Sequence, residues 1–234
     1  MLFSKKIKFY SEHFSLIEKP IPSKKRVPNW YKSMQNFPGG KEKGGSVKRC
    51  IPFLDVLTSG YYLVNNFAFL CYKKSDDTIA IEYNQNLKEN QAILVDSGIS
   101  DHGYWQINEE FFNEEEIKIL LKINNPWSIQ TPKGYSCMFL NPPNSPSKIR
   151  IAEGIVDTDV YKFPVNFPFI VKKFDKDFIV EAGQPLVWVI PFKREDWKME
   201  VYDYNQHTNE EHVSMFRYYL DNYKNLLWKR KRYD

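Results

Sequence analysis

Two aspartates in the second half of the chain have the spacing that best fits chemistry. Asp157 and Asp159 follow a short apolar run and precede Tyr161. In an extended segment, residues two apart point to the same side. Paired carboxylates can activate a water molecule or hold a hard cation. Aspartates at a strand-to-turn transition also accept hydrogen bonds from backbone donors, so a structural cap is the alternative prediction.

The histidines offer weaker candidates for catalysis or metal binding. His207 and His212 are five residues apart, which places them about 140° apart on a helix, unlike the four-residue spacing of a helical metal pair. His13 and His102 have no obvious ligand partners along the chain. The histidines therefore indicate no metal site.

The three cysteines and the glycine pattern narrow the function classes further. Cys50, Cys71 and Cys137 form no CxxC pair, so we expect buried structural thiols and no structural zinc. The chain contains no GxSxG, GxxxxGK[ST] or GxGxxG motif, which excludes the common hydrolase elbow and phosphate loops. The sequence identifies no cofactor.

Composition indicates a soluble, folded protein. The 234 residues are 42% hydrophobic and 16% aromatic, and no apolar run approaches the roughly 18 residues of a membrane helix. The N-terminal MLFSKKIKFYSEHF breaks its apolar residues with lysines, unlike a signal peptide. We expect a cytoplasmic protein without a membrane segment.

Positive charge is concentrated at the two ends of the chain. Residues 1–50 hold twelve Lys/Arg and three Asp/Glu, whereas residues 74–122 hold four and eleven. A basic cluster, Lys229–Arg232, lies near the C-terminus. If the two basic ends lie together, they can meet nucleic acid or an acidic partner. The alternative is that they are solvated or pair with the acidic middle.

The pattern of elements predicts one mainly β domain. Prolines and glycines in residues 1–49 predict an irregular wrapping arm, anchored by Trp30, Tyr31 and Phe37, with a short helical turn in VPNWYKSM. Residues 50–205 form the predicted β body. Residues 206–234 follow it and contain a predicted amphipathic helix near Asn209–Arg232.

Within the predicted β body, short apolar or alternating runs mark the strands. CIPFLDVLTSGYYLVNNFAFLCY is interpreted as strands around a turn, and NEEEIKILLKINNPW is left open between helix and strand. The other predicted strands are DTIAIEY, GYSCMFL, KIRIAEGIV, NFPFIVKKF, DFIVEAG and QPLVWVIPF.

Several phrases resemble a family of bacterial and tailed-phage proteins. They are RVPNWYKSM, KRCIPFLDVLTSGYYL, GYSCMFLNPPN, GIVDTDVY, PVNFPF and GQPLVWVIPFKRE. The resemblance spans most of the chain and implies no established activity.

Residues 130–192 also resemble trimeric dUTPases and dCTP deaminases. GIVDTDVY, an Asn-bearing strand and GQPLVWVIPF follow that family's motif order. The resemblance implies that Asp157 takes the place of the acid that positions water, and Tyr161 that of the ring against the base. The Asp-Arg pair, the Arg-Ser-Gly phosphate contacts and the glycine-rich C-terminal arm of the family are missing. What remains of the resemblance is the strand pattern, so the expected fold is a distorted antiparallel β-barrel or jelly roll.

Two function classes follow. The first is a non-enzymatic structural or interaction subunit, phage-associated as the resemblance implies, which binds a protein partner or forms a homo-oligomer. The second is a protein or hydrolase with a dUTPase-like barrel that binds a small polar or nucleotide-like ligand. The predicted site of the second class combines Asp157, Asp159 and Tyr161 with Asn166 and Gln184.

Overall fold

The chain folds into two compact units. The computed structural model describes residues 5–74, 78–83, 98–203 and 223–234. Unit 1 consists of Met1–Ile21 and Gly60–Arg194, and unit 2 of Pro22–Ser59 and Glu195–Asp234. The single domain with a wrapping arm over residues 1–49 stays a prediction.

Strands dominate the described residues, and two short α-helices accompany them. In chain order, these elements are β1 (Lys8–Tyr10), β2 (Ile21–Pro22), α1 (Asn29–Ser33), α2 (Ile51–Thr58), β3 (Tyr61–Val64), β4 (Phe69–Lys73), β5 (Ile79–Tyr83), β6 (Ile99–Asp101), β7 (Glu116–Ile123), β8 (Ser128–Gln130), β9 (Tyr135–Leu140), β10 (Ile149–Ile151), β11 (Gly154–Val156), β12 (Phe167–Lys172), β13 (Phe178–Val180) and β14 (Pro185–Lys193).

The strands form four sheets. Their orders are β11-β9-β14-β3-β2, β10-β12-β7-β6, β13-β4-β5 and β1-β8. All pairs among strands of three residues or longer are antiparallel. The predicted mainly antiparallel β fold is confirmed. No closed barrel occurs among the described strands, which corrects that part of the prediction, and the jelly roll stays a prediction.

The longest strand, β14, lies inside its sheet between β9 and β3. Its residue Val189 is opposite Phe139 of β9 and Tyr61 of β3. Val189 and Phe139 are at most 1% exposed, and the Phe139 ring lies 5.3 Å from that of Phe167. Burial of apolar side chains on both neighbours fixes the register of β14.

KIRIAEGIV shows why the strands do not close into one barrel. It contains β10 and β11, which belong to different sheets. Ala152 and Glu153 separate them, and Ala152 N–H donates to the Pro168 carbonyl at 2.7 Å. One apolar run therefore joins two sheets instead of continuing along one.

One predicted strand is a helix. IPFLDVLT, expected to be extended, forms α2. Pro52 stands in its first turn, where a proline loses no intrahelical hydrogen bond. On this helix, the side chains of Ile51 and Leu57 are buried. An eight-residue apolar run fits both the helical and the strand period, so periodicity did not separate them.

The segment left open between helix and strand is a strand. After a turn in which Asn113 Oδ1 accepts from Glu115 N–H at 3.0 Å, β7 pairs with β12 on one side and β6 on the other. Two neighbouring ladders satisfy its backbone groups in the extended form.

The described part of unit 2 is organised by α2. The predicted helical turn in VPNWYKSM is present as α1. Tyr31 is 5% exposed and stacks on Phe53 of α2, with ring centroids 5.8 Å apart. Trp30 meets both rings edge to face and is 42% exposed. These aromatic contacts anchor α1 on α2.

The predicted C-terminal helix over Asn209–Arg232 lies mostly outside the described residues. Within them, one π-helical turn covers Tyr223–Leu227, and residues 228–234 are not helical. No helix of the described residues is long and apolar enough to cross a membrane.

One cysteine differs from the expectation of buried thiols. All three are free, and Cys71 and Cys137 are buried, but Cys50 is exposed. Cys50 immediately precedes α2, where a side chain at the helix start is outside the packed face. The prediction of three buried thiols is therefore wrong for Cys50.

Candidate functional site

The sequence-predicted aspartates stand at a tight turn after β11. The carbonyl of Asp157 accepts hydrogen bonds from the backbone N–H groups of Val160 (3.0 Å) and Tyr161 (2.9 Å). Thr158, between the two acids, is 1% exposed, and its hydroxyl lies 2.8 Å from that of Thr131. This buried contact fixes the turn, so the two carboxylates emerge at a defined place.

Arg194, which follows β14, binds Asp159. Its Nη1 and Nη2 donate to Oδ1 (2.8 Å) and Oδ2 (2.6 Å). Such a bidentate guanidinium–carboxylate pair is among the stronger polar contacts. The Asp159 side chain is only 4% exposed. We call this contact the Arg194 clamp.

A backbone group completes the clamp. Gly134 N–H donates to Asp159 Oδ2 at 2.8 Å. Gly134 has a φ of 82°, a backbone conformation that favours glycine. The hydrogen bonds from Arg194, followed by that from Gly134, hold the pKa of Asp159 well below its usual range. Asp159 therefore stays ionised and is a poor proton donor.

Asp157 shares the same guanidinium from a more open position. Its Oδ1 accepts from Ser136 Oγ at 2.6 Å and lies 3.1 Å from Arg194 Nη1. The Asp157 side chain is 57% exposed. The turn brings the two acids together, but one arginine stands between them.

The outer side of the clamp faces a cationic groove of about 770 Å³. Lys6, Lys8 and Lys133 line it beside Asp159 and Arg194. None of the three lysines makes an ion pair with a residue that the structure describes. The groove therefore carries excess positive charge, which disfavours a cation at the acid pair.

Tyr161 is close to the acids in sequence, and its ring packs against Phe163. Its ring is 43% exposed and meets Phe163 edge to face, with centroids 5.7 Å apart. Val160 and Phe163 are 68% and 70% exposed. This turn presents an apolar surface.

Asn166 and Gln184 make other contacts in unit 1. Asn166 Oδ1 accepts from Asn125 N–H at 3.1 Å. Gln184 lies in the turn before β14, where its carbonyl accepts from Asn65 N–H at 2.8 Å. The nine residues of β14 separate Gln184 from Arg194, a distance of about 30 Å along a strand. Gln184 thus does not reach the acid pair.

Arg194, the partner of both acids, was not predicted from the sequence. The one available signal was its position directly after the predicted strand QPLVWVIPF. Since β9 lies between β14 and β11, the pairing of three strands places Arg194 beside the turn after β11.

The two basic ends of the chain meet in unit 2. Lys24 forms an ion pair with Asp234. Asp55 of α2 accepts from Trp228 Nε1 at 3.0 Å and from Lys231 Nζ at 2.6 Å. The turn Ser23–Arg26 also packs against α2. Residues 22–59 and 223–234 therefore lie together, and we call the face that carries their lysines and arginines the basic surface of unit 2.

The segment Glu195–Asp203 has unusually exposed apolar side chains. Trp197, Met199 and Val201 are 88%, 86% and 83% exposed. The segment has no regular secondary structure. Large side chains at alternate positions are typical of a strand that meets a partner. We call it the exposed segment.

Comparison with protein-family models and with curated protein sequences gave no match. No protein-family model matches the chain, and no curated protein sequence is significantly similar to it. Among the described residues, no three His, Cys, Asp or Glu side chains are grouped closely enough to hold a metal ion.

Proposed function

We propose that this protein is a non-enzymatic subunit of a homo-oligomeric assembly, in which the exposed segment of one copy docks on another copy. The observation that carries the proposal is the 83–88% exposure of Trp197, Met199 and Val201. Burial of each such side chain contributes roughly 1.5–3 kcal/mol. A partner that covers all three gains enough to offset much of the cost of association.

A second copy offers suitable acceptors for the exposed segment. Among the described strands, β11 and β13 are edge strands, and their residues Ile155 and Ile179 are 63% and 55% exposed. An edge with an apolar side chain can pair with an extended segment from another chain. The chain thus carries both the segment and edges that fit it.

The clamp geometry favours a non-enzymatic role for the acid pair. Asp159 is held ionised by Arg194, and Asp157 hydrogen-bonds Ser136 and contacts the same guanidinium. These contacts join β9, β14 and the turn after β11. They stabilise the sheet end beside which the chain continues into the exposed segment. The tailed-phage resemblance suggests a phage particle as the setting of such an assembly.

Sedimentation velocity over a range of micromolar concentrations tests the proposal. We expect the parent chain to form a discrete oligomer and W197S/M199S/V201S to be a folded monomer. The control is K198Q/E200Q, because these positions alternate with the apolar ones and point to the opposite side of an extended segment. A monomeric parent, or a triple variant with unchanged assembly, would contradict the proposal.

A second candidate function, binding of single-stranded nucleic acid, is favoured by the basic surface of unit 2. Residues 22–59 hold eight Lys/Arg and two Asp/Glu. A cavity of about 380 Å³ is lined by Lys24, Arg230 and Arg232, among others. Within the described residues, neither arginine has an acidic partner at ion-pair distance. Arg230 and Arg232 lie beside Trp228 and Tyr233 in this lining, which also contains Asp55 and Asp234, and cations beside aromatic rings fit phosphates and bases.

Fluorescence anisotropy with a labelled oligothymidine tests this second candidate. We expect binding to weaken as the salt concentration rises. For R230Q/R232Q, the slope of the logarithm of the binding constant against the logarithm of the salt concentration should be smaller in magnitude by about one to two. K41Q/K43Q removes the same charge outside the cavity and serves as the control. Equal losses in both variants would show nonspecific charge attraction and contradict a site at the cavity.

A further inference from the structure

The cationic groove of unit 1 lies next to the edge that β11 leaves unpaired among the described strands. Asp159 and Val160, which line the groove, belong to the turn that follows β11. Gln130 of β8 also lines it, and Ser128 of the same strand forms a β-bridge with Pro164. The β11 edge, the turn after it and the groove therefore form one continuous surface.

Three lysines give the groove its positive charge. Lys6 and Lys8 are exposed and Ile7 between them is half-buried, so the two lysines share the outer side of the chain. Lys133 is exposed in the turn before β9. No acidic residue occurs within three positions of any of the three along the chain. Their charge is therefore not cancelled by sequence neighbours.

Exposed apolar side chains lie beside the lysines. Val160 lines the groove and is largely exposed. Ile155 on the β11 edge and Phe163 after the turn are also largely exposed. A surface that combines apolar side chains with cations suits a partner that combines apolar side chains with acids.

The exposed segment has this complementary composition. Its nine residues hold four acids and one lysine, a formal net charge of −3. In an extended chain, Glu195 and Asp203 lie on the same side as the three exposed apolar residues between them. Nine extended residues span about 30 Å, and the three of β11 about 10 Å. The segment is therefore long enough to continue from the β11 edge into the groove.

Charge distinguishes β11 from β13, the other edge strand considered above. Residues 175–177 and 181, which flank β13, hold three acids and one lysine and are all exposed. Like charges there oppose an acidic segment. The turn after β11 also contains two acids, but Asp157 and Asp159 are both paired with Arg194. The charges therefore favour β11 as the acceptor.

We propose that the exposed segment of one copy binds the β11 edge and the cationic groove of another copy. Its apolar side chains cover the exposed apolar residues of the stretch 155–163, and its acids meet the three groove lysines. This inference rests on the proposed homo-oligomer and names its acceptor surface. Apolar burial supplies most of the affinity, and the charges select the acceptor.

A charge swap followed by sedimentation velocity tests the acceptor. The groove variant is K6E/K8E/K133E. The segment variant is E195K/D196K/D203K, which keeps Glu200 because that residue pairs with Lys198. Each variant alone sets like charges against each other, so we expect at least tenfold weaker self-assembly than in the parent. An equimolar mixture sets each groove against a segment of opposite charge and should assemble to within about threefold of the parent.

The control K148E/K173E/K176E reverses three exposed lysines of unit 1 outside the groove and should assemble as the parent does. Circular dichroism checks that each variant is folded.

The outcomes separate this inference from the proposed homo-oligomer. If the parent assembles and W197S/M199S/V201S does not, but the groove variant assembles like the parent or the mixture stays unassembled, the acceptor is wrong and the oligomer stands. A monomeric parent overturns both. Loss of oligothymidine binding by a groove variant that still assembles would assign the groove to nucleic acid and overturn the inference.

Discussion

Arg194 and Asp159 are thirty-five residues apart in sequence and are joined by two parallel hydrogen bonds of 2.8 and 2.6 Å. The contact ties the end of β14 to the turn after β11 across β9. An acid pair that suggested catalysis in the sequence thus shares one guanidinium, and its better-buried member is held ionised.

We expect loss of the Arg194 clamp to destabilise the fold, so that Asp159→Asn lowers Tm more than Asp157→Asn does. The first substitution replaces the carboxylate that accepts both guanidinium bonds and the Gly134 N–H bond. Asp157 is 57% exposed, so water can replace its contacts. Thermal unfolding of both variants measures the difference. An equal or larger loss in Asp157→Asn would show that the clamp is not the main contact.

The Arg194 clamp should also make the free energy of unfolding depend on pH. The pKa of Asp159 is lowered in the folded chain, so the unfolded chain takes up a proton first as pH falls. The stability from the clamp is complete above about pH 4–5, and it is lost as pH falls further toward the folded pKa. In denaturant titrations at pH 5, 4 and 3, the parent should lose more stability than Asp159→Asn. Parallel losses would contradict this prediction.

The ion pair between Arg150 and Glu116, on the two strands that flank β12, should also contribute to the free energy of unfolding. Arg150 of β10 donates to both oxygens of Glu116 of β7, at 2.6 and 2.8 Å, and the Glu116 side chain is 0% exposed. Arg150→Met should cost about 3 kcal/mol, because it leaves a buried carboxylate without its hydrogen-bonded cationic partner.

The double variant E116Q/R150M separates the ion pair from local packing. It should recover part of that loss, since no unpaired charge remains. Urea unfolding of the two single variants and the double variant gives the coupling energy. Additive losses would show that the two groups act independently.

The cysteines should differ in reactivity toward a thiol reagent. Cys71 and Cys137 are 0% exposed, and burial raises the pKa of each thiol to about 11. Cys50 is exposed. In Ellman's assay, one thiol per chain should react rapidly and two only after unfolding, and Cys50→Ser should abolish the rapid phase. Two or more rapid thiols in the folded parent would contradict the buried positions.

Much of the strand content follows from the sequence because strand patterning is local. GYSCMFL and QPLVWVIPF carry their apolar residues in short runs bounded by turn residues, and they form β9 and β14. The prediction of a strand at IPFLDVLT was wrong because eight residues are too few for the apolar pattern to distinguish a helix from a strand. Its helical state depends on the packing of α2 against α1 and the neighbouring turns.

The sequence by itself determined the residue types and the mainly antiparallel β class. Those properties depend on neighbours a few residues away, and the chain records them directly. Only the tertiary structure decided that Arg194 binds both acids and that the length of β14 separates Gln184 from them. The physical reason is that the order of strands in a sheet brings distant residues together, and the local pattern of each strand does not determine that order.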